Sequence, residues 1–267
     1  MAGVMTLVAC QRHVADESAS ATRPVMAAAG NAGPTANVMA AEPVPVESEE
    51  AKAKRERIAA NIANSTANLN PDDDEIVAPP QVIADCDSKL NAAGVKFHAT
   101  SMPVTHQKGG FDCGAPQVIV YDRGPTGVTW GGAIVSCGLA LGMARFEAIV
   151  QDEAQRTFNA KVTRMENGGT YSCRKMARFK MVSEHSYANA IDVRSFELAN
   201  GKRIVVERDF GAPARPPETD GARFLRASGR RAFDENVFSV VLTPHFDELH
   251  RDHFHLDQSR YRTDGSR

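Results

Sequence analysis

The sequence predicts an α+β fold, in which helices come first along the chain and pack on a small antiparallel sheet. Helix-like apolar spacing covers residues 131–158, and strand-like alternation covers 190–198. The hairpin dipeptide Asn200-Gly201 then separates this strand from a second apolar stretch at 203–207. Because the strands follow the helices instead of alternating with them, the order favours α+β over a parallel α/β fold.

The first 80 residues are predicted to be disordered. They contain no Phe, Tyr or Trp, carry a formal net charge of −5 and are rich in Ala, Pro, Asn and Ser. Such a segment cannot bury enough apolar surface to offset the entropy that is lost on ordering. We therefore expect a disordered linker over 1–80, a folded domain over 81–260 and a short tail over 261–267.

The motif Leu7-Val8-Ala9-Cys10 resembles the site at which bacterial lipoproteins are cut and acylated. The long polar segment after Cys10 would suit a membrane tether. However, only nine residues precede Cys10 and none is Lys or Arg, whereas a secretory signal has a basic start and a longer apolar stretch. Membrane attachment through a lipidated Cys10 and a chance match both remain open.

The remaining elements are predicted inside the domain. The stretch 131–158 is either one long helix or two short ones, because Gly138 and Gly142 weaken it. Further along the chain we expect a strand at 161–165, a turn at 167–169, a helix at 224–233 and strands at 238–242 and 254–256.

The overall charge excludes one class of function. The formal net charge is −2 and the pI is about 6.5, so no long-range field attracts the protein to nucleic acid. The sequence also has no run of 18 apolar residues, and therefore predicts no membrane-spanning helix.

Four of the five cysteines lie in the predicted domain: Cys86, Cys113, Cys137 and Cys173. None belongs to a CxxC pair, which argues against a cysteine-based zinc knuckle. The even number predicts two disulfides and an oxidising compartment. Sequence order favours the pairs Cys86–Cys113 and Cys137–Cys173, although three pairings are possible. The alternative is four buried free thiols in a cytoplasmic protein.

A histidine cluster near the C-terminus indicates a metal site. Four histidines fall between His245 and His255, and in an extended chain His253 and His255 share one face. Further upstream, His185 and Asp192 stand seven residues apart. A catalytic zinc ion takes three protein ligands and one open position, which His185, Asp192 and one later histidine would supply. The alternative is a surface cluster that only neutralises carboxylates.

The spacing His-x6-Asp followed by His-x-His is similar to that of zinc peptidases that include D-Ala-D-Ala carboxypeptidases and murein endopeptidases, whose fold the hedgehog amino-terminal domain shares. More closely, the chain resembles the bacterial extensin-like C-terminal domain family. The stretches that carry this resemblance are CGAPQVIVY, GGTYSCR, SEHSYANAIDV, FLR and HRDHFHLD. They extend over roughly Cys86 to Asp257.

The resemblance implies a role for each residue. His185, Asp192 and His255 would hold zinc in the antiparallel sheet. Asp252 would be the general base, and His253 would lie next to the reacting water. Arg174 would bind a substrate carboxylate, or would be an ordinary surface arginine. Zinc-binding imidazoles also need orienting partners, for which Glu184 and Asp257 are candidates; His250 receives no role.

The function implied is a zinc metallopeptidase that acts on peptidoglycan peptides in the periplasm or cell envelope, as an endopeptidase or a carboxypeptidase. Two alternatives remain. One is a non-catalytic, zinc-containing module that binds the cell wall. The other is a zinc hydrolase that acts on a different amide. The presence of Asp252 and His253 beside the ligands favours an enzyme, because a structural zinc ion would need neither.

Overall fold

The computed structural model describes residues 79–176 and 181–267, which form a mixed α+β fold with three small sheets. Cys10 and all but the last two residues of the predicted linker over 1–80 lie outside the described residues. In the part of the chain that is described, no helix is both long enough and apolar enough to cross a membrane.

The first part of the domain contains a short helix and five strands: α1 (Cys86–Ala92), β1 (Lys96–Ala99), β2 (Met102–Gln107), β3 (Phe111–Ala115), β4 (Val118–Arg123) and β5 (Ala133–Ser136). Strands β1, β4 and β5 form an antiparallel sheet with β4 in the middle. Strands β2 and β3 form a separate two-stranded ribbon.

The second part contains the long helix and the largest sheet. Its elements are α2 (Cys137–Phe158), β6 (Val162–Gly169), a 3-10 turn (Glu184–Tyr187), β7 (Ala190–Leu198), β8 (Arg203–Val205), α3 (Val206–Asp209), α4 (Asp220–Asp234), β9 (Val240–Leu242), a second 3-10 turn (Glu248–His250), β10 (Phe254–Asp257) and β11 (Thr263–Gly265). The strand order is β11-β9-β10-β7-β6, and β8 also pairs with β7. Strand β11 lies in the predicted tail over 261–267 and pairs in parallel with β9.

The helices are not gathered at the N-terminal end of the domain, so this part of the prediction was wrong. The apolar stretch 131–158 contains both β5 and α2, because an apolar run by itself does not distinguish a strand from a helix. Gly131 and Gly132 have φ values of 71° and 72°, and the next four residues pair with β4. Helix α2 begins only where Ser136 accepts a hydrogen bond from the backbone N–H of Leu139 at 3.2 Å.

The turn predicted at Asn167-Gly168-Gly169 is instead the end of strand β6. Asn167 pairs with Val193 and Gly169 with Asp192, and the register shifts between these two pairs. Gly169 has a φ of 143°, a value that favours glycine. The two glycines therefore mark a bulge inside a strand, not a turn between strands.

Other predicted elements are confirmed with changed bounds. Strand β7 covers the predicted range 190–198. Helix α4 begins four residues before the predicted range 224–233, where Thr219 caps it by accepting a hydrogen bond from the N–H of Ala222 at 3.1 Å. The return strand predicted at 203–207 ends two residues early because α3 begins there.

One hydrophobic core joins the two larger sheets to helices α2 and α4. Its fully buried aromatic side chains are Trp130, Tyr121, Phe146, Phe196, Phe210, Phe224, Phe238 and Phe254. The ring of Phe254 on β10 lies 6.2 Å from that of Phe196 and 6.1 Å from that of Phe210. Because Phe254 faces the core, strand alternation turns the side chains on either side of it toward the opposite face.

A buried carboxylate ties helix α2 to the first sheet. Glu147 is fully buried, and its Oε1 accepts hydrogen bonds from Tyr121 Oη at 3.1 Å and Trp130 Nε1 at 2.8 Å. Its Oε2 accepts two more from Thr126, at 2.8 and 3.3 Å. Burial raises the pKa of this carboxyl, although the hydrogen bonds oppose that effect. A Cβ at Gly124 would lie 1.7 Å from Oε1, so the carboxylate requires glycine beside it.

Two disulfides form, as predicted, but the pairs are Cys86–Cys137 and Cys113–Cys173. The pairing that followed sequence order was wrong. The fold brings α1 to the start of α2, and it brings the ribbon strand β3 to the segment that precedes the first 3-10 turn. Disulfides persist in oxidising compartments, so the two bonds indicate an extracytoplasmic location.

We predict that unreduced protein will yield linked peptides for Cys86–Cys137 and Cys113–Cys173. The bonds close loops of 51 and 60 residues, so reducing each should lower the free energy of unfolding by about 4 kcal/mol. Mass analysis of digests identifies the pairs, and denaturant unfolding with and without reductant measures the loss. Four alkylated thiols, or a link between Cys86 and Cys113, would contradict the prediction.

Candidate metal centre

The three predicted ligand side chains come from three parts of the fold. His185 lies in the 3-10 turn before β7, Asp192 is the third residue of β7, and His255 is the second residue of β10. Strands β7 and β10 are antiparallel neighbours, and their register sets His255 directly opposite Asp192. The chain reverses direction between His185 and β7, and His185 therefore lies beside the same two residues.

Hydrogen bonds fix the turn that carries His185. The side chain of Ser183 accepts a hydrogen bond from the N–H of His185 at 3.4 Å, and the N–H of Asn189 donates to the carbonyl of Glu184 at 3.0 Å. Ala188 has a φ of 51°, and this left-handed residue reverses the chain into β7. The turn therefore holds His185, which is only 3% exposed, against the β7–β10 pair.

Each of the three side chains presents one ligand atom to a common point. Asp192 Oδ1 lies 3.3 Å from His185 Nε2 and 3.2 Å from His255 Nδ1, and the two ring nitrogens are 3.2 Å apart. Ligand atoms around a tetrahedral zinc ion, at about 2.0–2.1 Å from the metal, are about 3.3 Å from one another. The triangle therefore fits one face of a zinc tetrahedron, and a fourth position remains for water or substrate.

Charge couples the same three side chains. Burial alone would raise the pKa of the Asp192 carboxyl, but hydrogen bonds with His185 and His255 hold that pKa well below its usual range. Burial would lower the pKa of His255, but its hydrogen bonds to Asp192 and Asp257 raise it to about 10. A metal ion at His255 Nδ1 must therefore displace a proton, so its affinity falls as the pH falls.

Asp257 lies where an orienting partner for an imidazole was predicted. Its Oδ2 is 3.0 Å from His255 Nε2, and its Oδ1 accepts a hydrogen bond from the N–H of Ser259 at 3.0 Å. The carboxylate is 2% exposed. When His255 Nε2 carries the proton and donates to Asp257, His255 Nδ1 is left to face the other two ligand atoms.

Glu184, the other predicted orienting group, has a different contact. Its Oε2 accepts a hydrogen bond from Asn189 Nδ2 at 2.7 Å. Asn189 also accepts one from Ser136 Oγ at 2.7 Å and donates one to the carbonyl of Gln258 at 3.0 Å. Burial and the charge of Asp257 raise the pKa of Glu184 to about 7. Through these bonds Glu184 anchors the turn to the start of α2 and the end of β10.

The two predicted catalytic residues form a pair beside the triangle. His253 Nδ1 lies 2.8 Å from Asp252 Oδ1, and His253 Nε2 lies 3.6 Å from Asp192 Oδ1. The hydrogen bond with His253 lowers the pKa of the Asp252 carboxyl. The structure thus brings a carboxylate and an imidazole to the edge of the three ligand atoms, where they can exchange protons with a bound molecule.

The sequence interpretation gave His250 no role and missed Asp247. His250 Nδ1 is 2.6 Å from Asp247 Oδ1, and its ring lies 5.3 Å from that of His253 and 6.0 Å from that of His255. Burial lowers the pKa of His250 despite this carboxylate. The i,i+3 spacing of Asp247 and His250 was the signal that could have revealed the contact.

Of Arg174 and Arg194, only Arg194 has a side chain in contact with the centre. Arg174, the predicted carboxylate-binding residue, is exposed, and its backbone N–H donates to Ser186 Oγ at 2.9 Å. Sequence reasoning missed Arg194, whose Nη2 lies 3.9 Å from Asp252 Oδ2. Its position two residues after Asp192 in a predicted strand was the available signal, because such residues share one face.

We predict that Asp257→Asn will weaken zinc binding by about 10- to 100-fold while the fold is retained, because His255 loses the charged partner that orients its ring. Competition titration with a chelator measures the affinity, and circular dichroism checks the fold. Asp122→Asn is the matched control, since Asp122 makes a similar contact of 2.9 Å with His98 at the surface. Equal affinities in the two variants would contradict the assignment.

Comparison with known proteins gives a family. No curated protein and no solved structure matches the chain. Residues 84–266 match the family model described as the extensin-like protein C-terminus. The matched region contains the triangle, the Asp252–His253 pair and both disulfides. Because it covers more than half of the sequence, the chain belongs to the extensin-like protein C-terminus family.

Proposed function

We propose that this domain is a zinc-dependent peptidase that hydrolyses peptide bonds of peptidoglycan in the periplasm. The observation that carries the proposal is the triangle of His185, Asp192 and His255, whose ligand atoms have the spacing that tetrahedral zinc requires. The two disulfides support it, because the wall peptides lie in an oxidising compartment.

The zinc ion and the protein side chains would contribute different steps of the hydrolysis. When bound, zinc supplies a Lewis acid that lowers the pKa of water to about 7 and polarises a carbonyl group. Asp252 takes the proton of the attacking water and delivers it to the leaving amine. Since Asp252 Oδ1 accepts the hydrogen bond from His253, Asp252 Oδ2 is the atom assigned to this transfer.

His253 stabilises the negative charge that develops on the substrate carbonyl oxygen. Its Nδ1 donates to Asp252, which fixes the orientation of the ring, and its Nε2 faces the ligand triangle. A well-placed donor of this kind contributes about 3–4 kcal/mol to stabilisation of the transition state. His253 and Asp252 therefore act as a unit, and removing either one disturbs the other.

We predict that the purified protein binds one zinc ion through His185, Asp192 and His255. Elemental analysis should find one equivalent of zinc, and a structure of the loaded protein should place the ligand atoms about 2.0–2.2 Å from the metal. Removal of zinc with a chelator should abolish hydrolysis of purified peptidoglycan, and added zinc should restore it. A metal-free protein with full activity would overturn the proposal.

We predict that Asp252→Ala keeps zinc and fold but loses peptide hydrolysis by at least about 10²-fold, because Asp252 transfers protons and binds no metal. His185→Ala should lose both zinc and activity. Asp112→Ala is the matched control, since Asp112 contacts His106 at 2.8 Å on the surface. Mass analysis of wall digests gives the rates.

Two results would change this assignment. Full activity of Asp252→Ala would move the base to His253 or His250. A wild-type protein that binds peptidoglycan and cleaves none of its peptides would favour the wall-binding module.

A further inference from the structure

We infer that Arg194 binds a carboxylate of the substrate beside the scissile bond, so that carboxylate-bearing peptides are the substrate class of this site. The inference rests on the proposed peptidase function and deepens it. It concerns a residue that neither coordinates the metal nor belongs to the Asp252–His253 pair.

The backbone places Arg194 on the face that carries the site. Val193 is fully buried, and Asp192 and Arg194 on either side of it point away from the core. Val193 pairs with Phe254 across the sheet, so the next position along β7 lies beside His253, where β10 begins. Arg194 therefore lies two residue pairs beyond the Asp192–His255 pair, on the same face of the sheet.

The guanidinium of Arg194 is exposed and has room for a ligand. Its side chain is 54% exposed, and Nη2 lies 3.9 Å from Asp252 Oδ2, which is an ion pair but longer than a hydrogen bond. Within residues 79–176 and 181–267 the guanidinium makes no hydrogen bond. Its forked N–H donors are therefore available, and in a peptide the group that they fit in bidentate geometry is a carboxylate.

The neighbouring strand leaves this arginine uncovered. Arg194 lies across Gly168 of β6, where an added Cβ would be 2.7 Å from Nε and 3.3 Å from Cγ and Cδ. The next residue, Gly169, pairs with Asp192 and also lacks a side chain. The Arg194 side chain thus lies over Gly168, whereas the space next to Gly169 is open, and a bound peptide can reach both Asp192 and Arg194 from there.

The position of the Arg194 guanidinium indicates that it binds substrate and does not serve only to position Asp252. An arginine that only positioned Asp252 would form a bidentate hydrogen-bonded pair with it, but the observed separation is 3.9 Å and Asp252 already bonds to His253 at 2.8 Å. A cation here also offsets the charge of an incoming carboxylate, which Asp252 and Asp192 would otherwise repel.

Two carboxylates of a wall peptide could occupy this place. One is the C-terminal α-carboxylate next to the last peptide bond. The other is the side-chain carboxylate of a diamino-diacid residue within the stem peptide. The chemistry of recognition is the same, and the choice of substrates separates the two sources.

The test uses the zinc-loaded full chain and three synthetic stem pentapeptides. The first ends in D-Ala-D-Ala and has a diamino-diacid at its third position, the second is its C-terminal carboxamide, and the third has lysine at that position. Arg194→Gln is compared with the wild type and with Arg164→Gln, which removes an exposed arginine from the adjacent strand β6. Arg174→Gln is measured in parallel.

We expect Arg194→Gln to lower kcat/KM for the first peptide by about 10- to 100-fold, with unchanged zinc content and melting temperature. The peptide that lacks the recognised carboxylate should already be poor for the wild type and should change little in the variant. Gly168→Ala should shift selectivity in the same direction, because it displaces the Arg194 side chain. Arg194→Lys should recover part of the preference, since it restores charge without the fork.

Failure of this inference is distinguishable from failure of the proposed function. If the peptides are cleaved but Arg194→Gln reduces all three rates equally, or none, the inference is overturned while the peptidase stands. The same holds if only Arg174→Gln removes the preference. If nothing is cleaved, calorimetric binding of the three peptides replaces the rates: a carboxylate preference that Arg194→Gln abolishes supports the inference, and its absence overturns it.

Discussion

The antiparallel register between β7 and β10 is the constraint on which the site depends. It sets His255 opposite Asp192 and Phe254 opposite Val193. One face of the pair is consequently apolar and buried, and the other carries the polar groups. A slip of one residue would exchange the two faces and bury charged groups without partners, so the aromatic packing of Phe254 and the geometry of the ligands are fixed together.

The polar face is stable because each charge has a partner. Asp192 contacts three imidazoles, and Asp257 supports one of them from the other side. These contacts offset the desolvation of carboxylates that the sheet partly encloses. The resulting cluster is preorganised, since its ligand atoms already have the separation that a tetrahedral ion requires.

One of the two disulfides stabilises the turn that carries His185. Cys113 in the ribbon strand β3 is bonded to Cys173, and the adjacent residue Ser172 donates its N–H to the carbonyl of His185 at 3.1 Å. The bond thus braces the turn that presents His185. Because it persists only in an oxidising environment, the location indicated by the cysteines and the integrity of the site depend on the same bond.

The sequence by itself determined the α+β class, strand β7 with its hairpin, helix α4 and the residue types of the centre. These features have local signals, namely periodicity, turn residues and ligand chemistry. The short strands β1 and β2 were missed because they are largely exposed and show weak alternation. Strand β3 was missed although none of its residues is exposed, because it too shows no alternation of buried and exposed positions. Only the tertiary structure decided the cysteine pairs and the bulge at Gly168 and Gly169. It also decided the contact of Asp252 with His253 and the place of Arg194. Each of these features depends on contacts between residues that are distant in sequence, or on the direction of a side chain. Contacts and side-chain directions of this kind do not follow from the local sequence pattern alone.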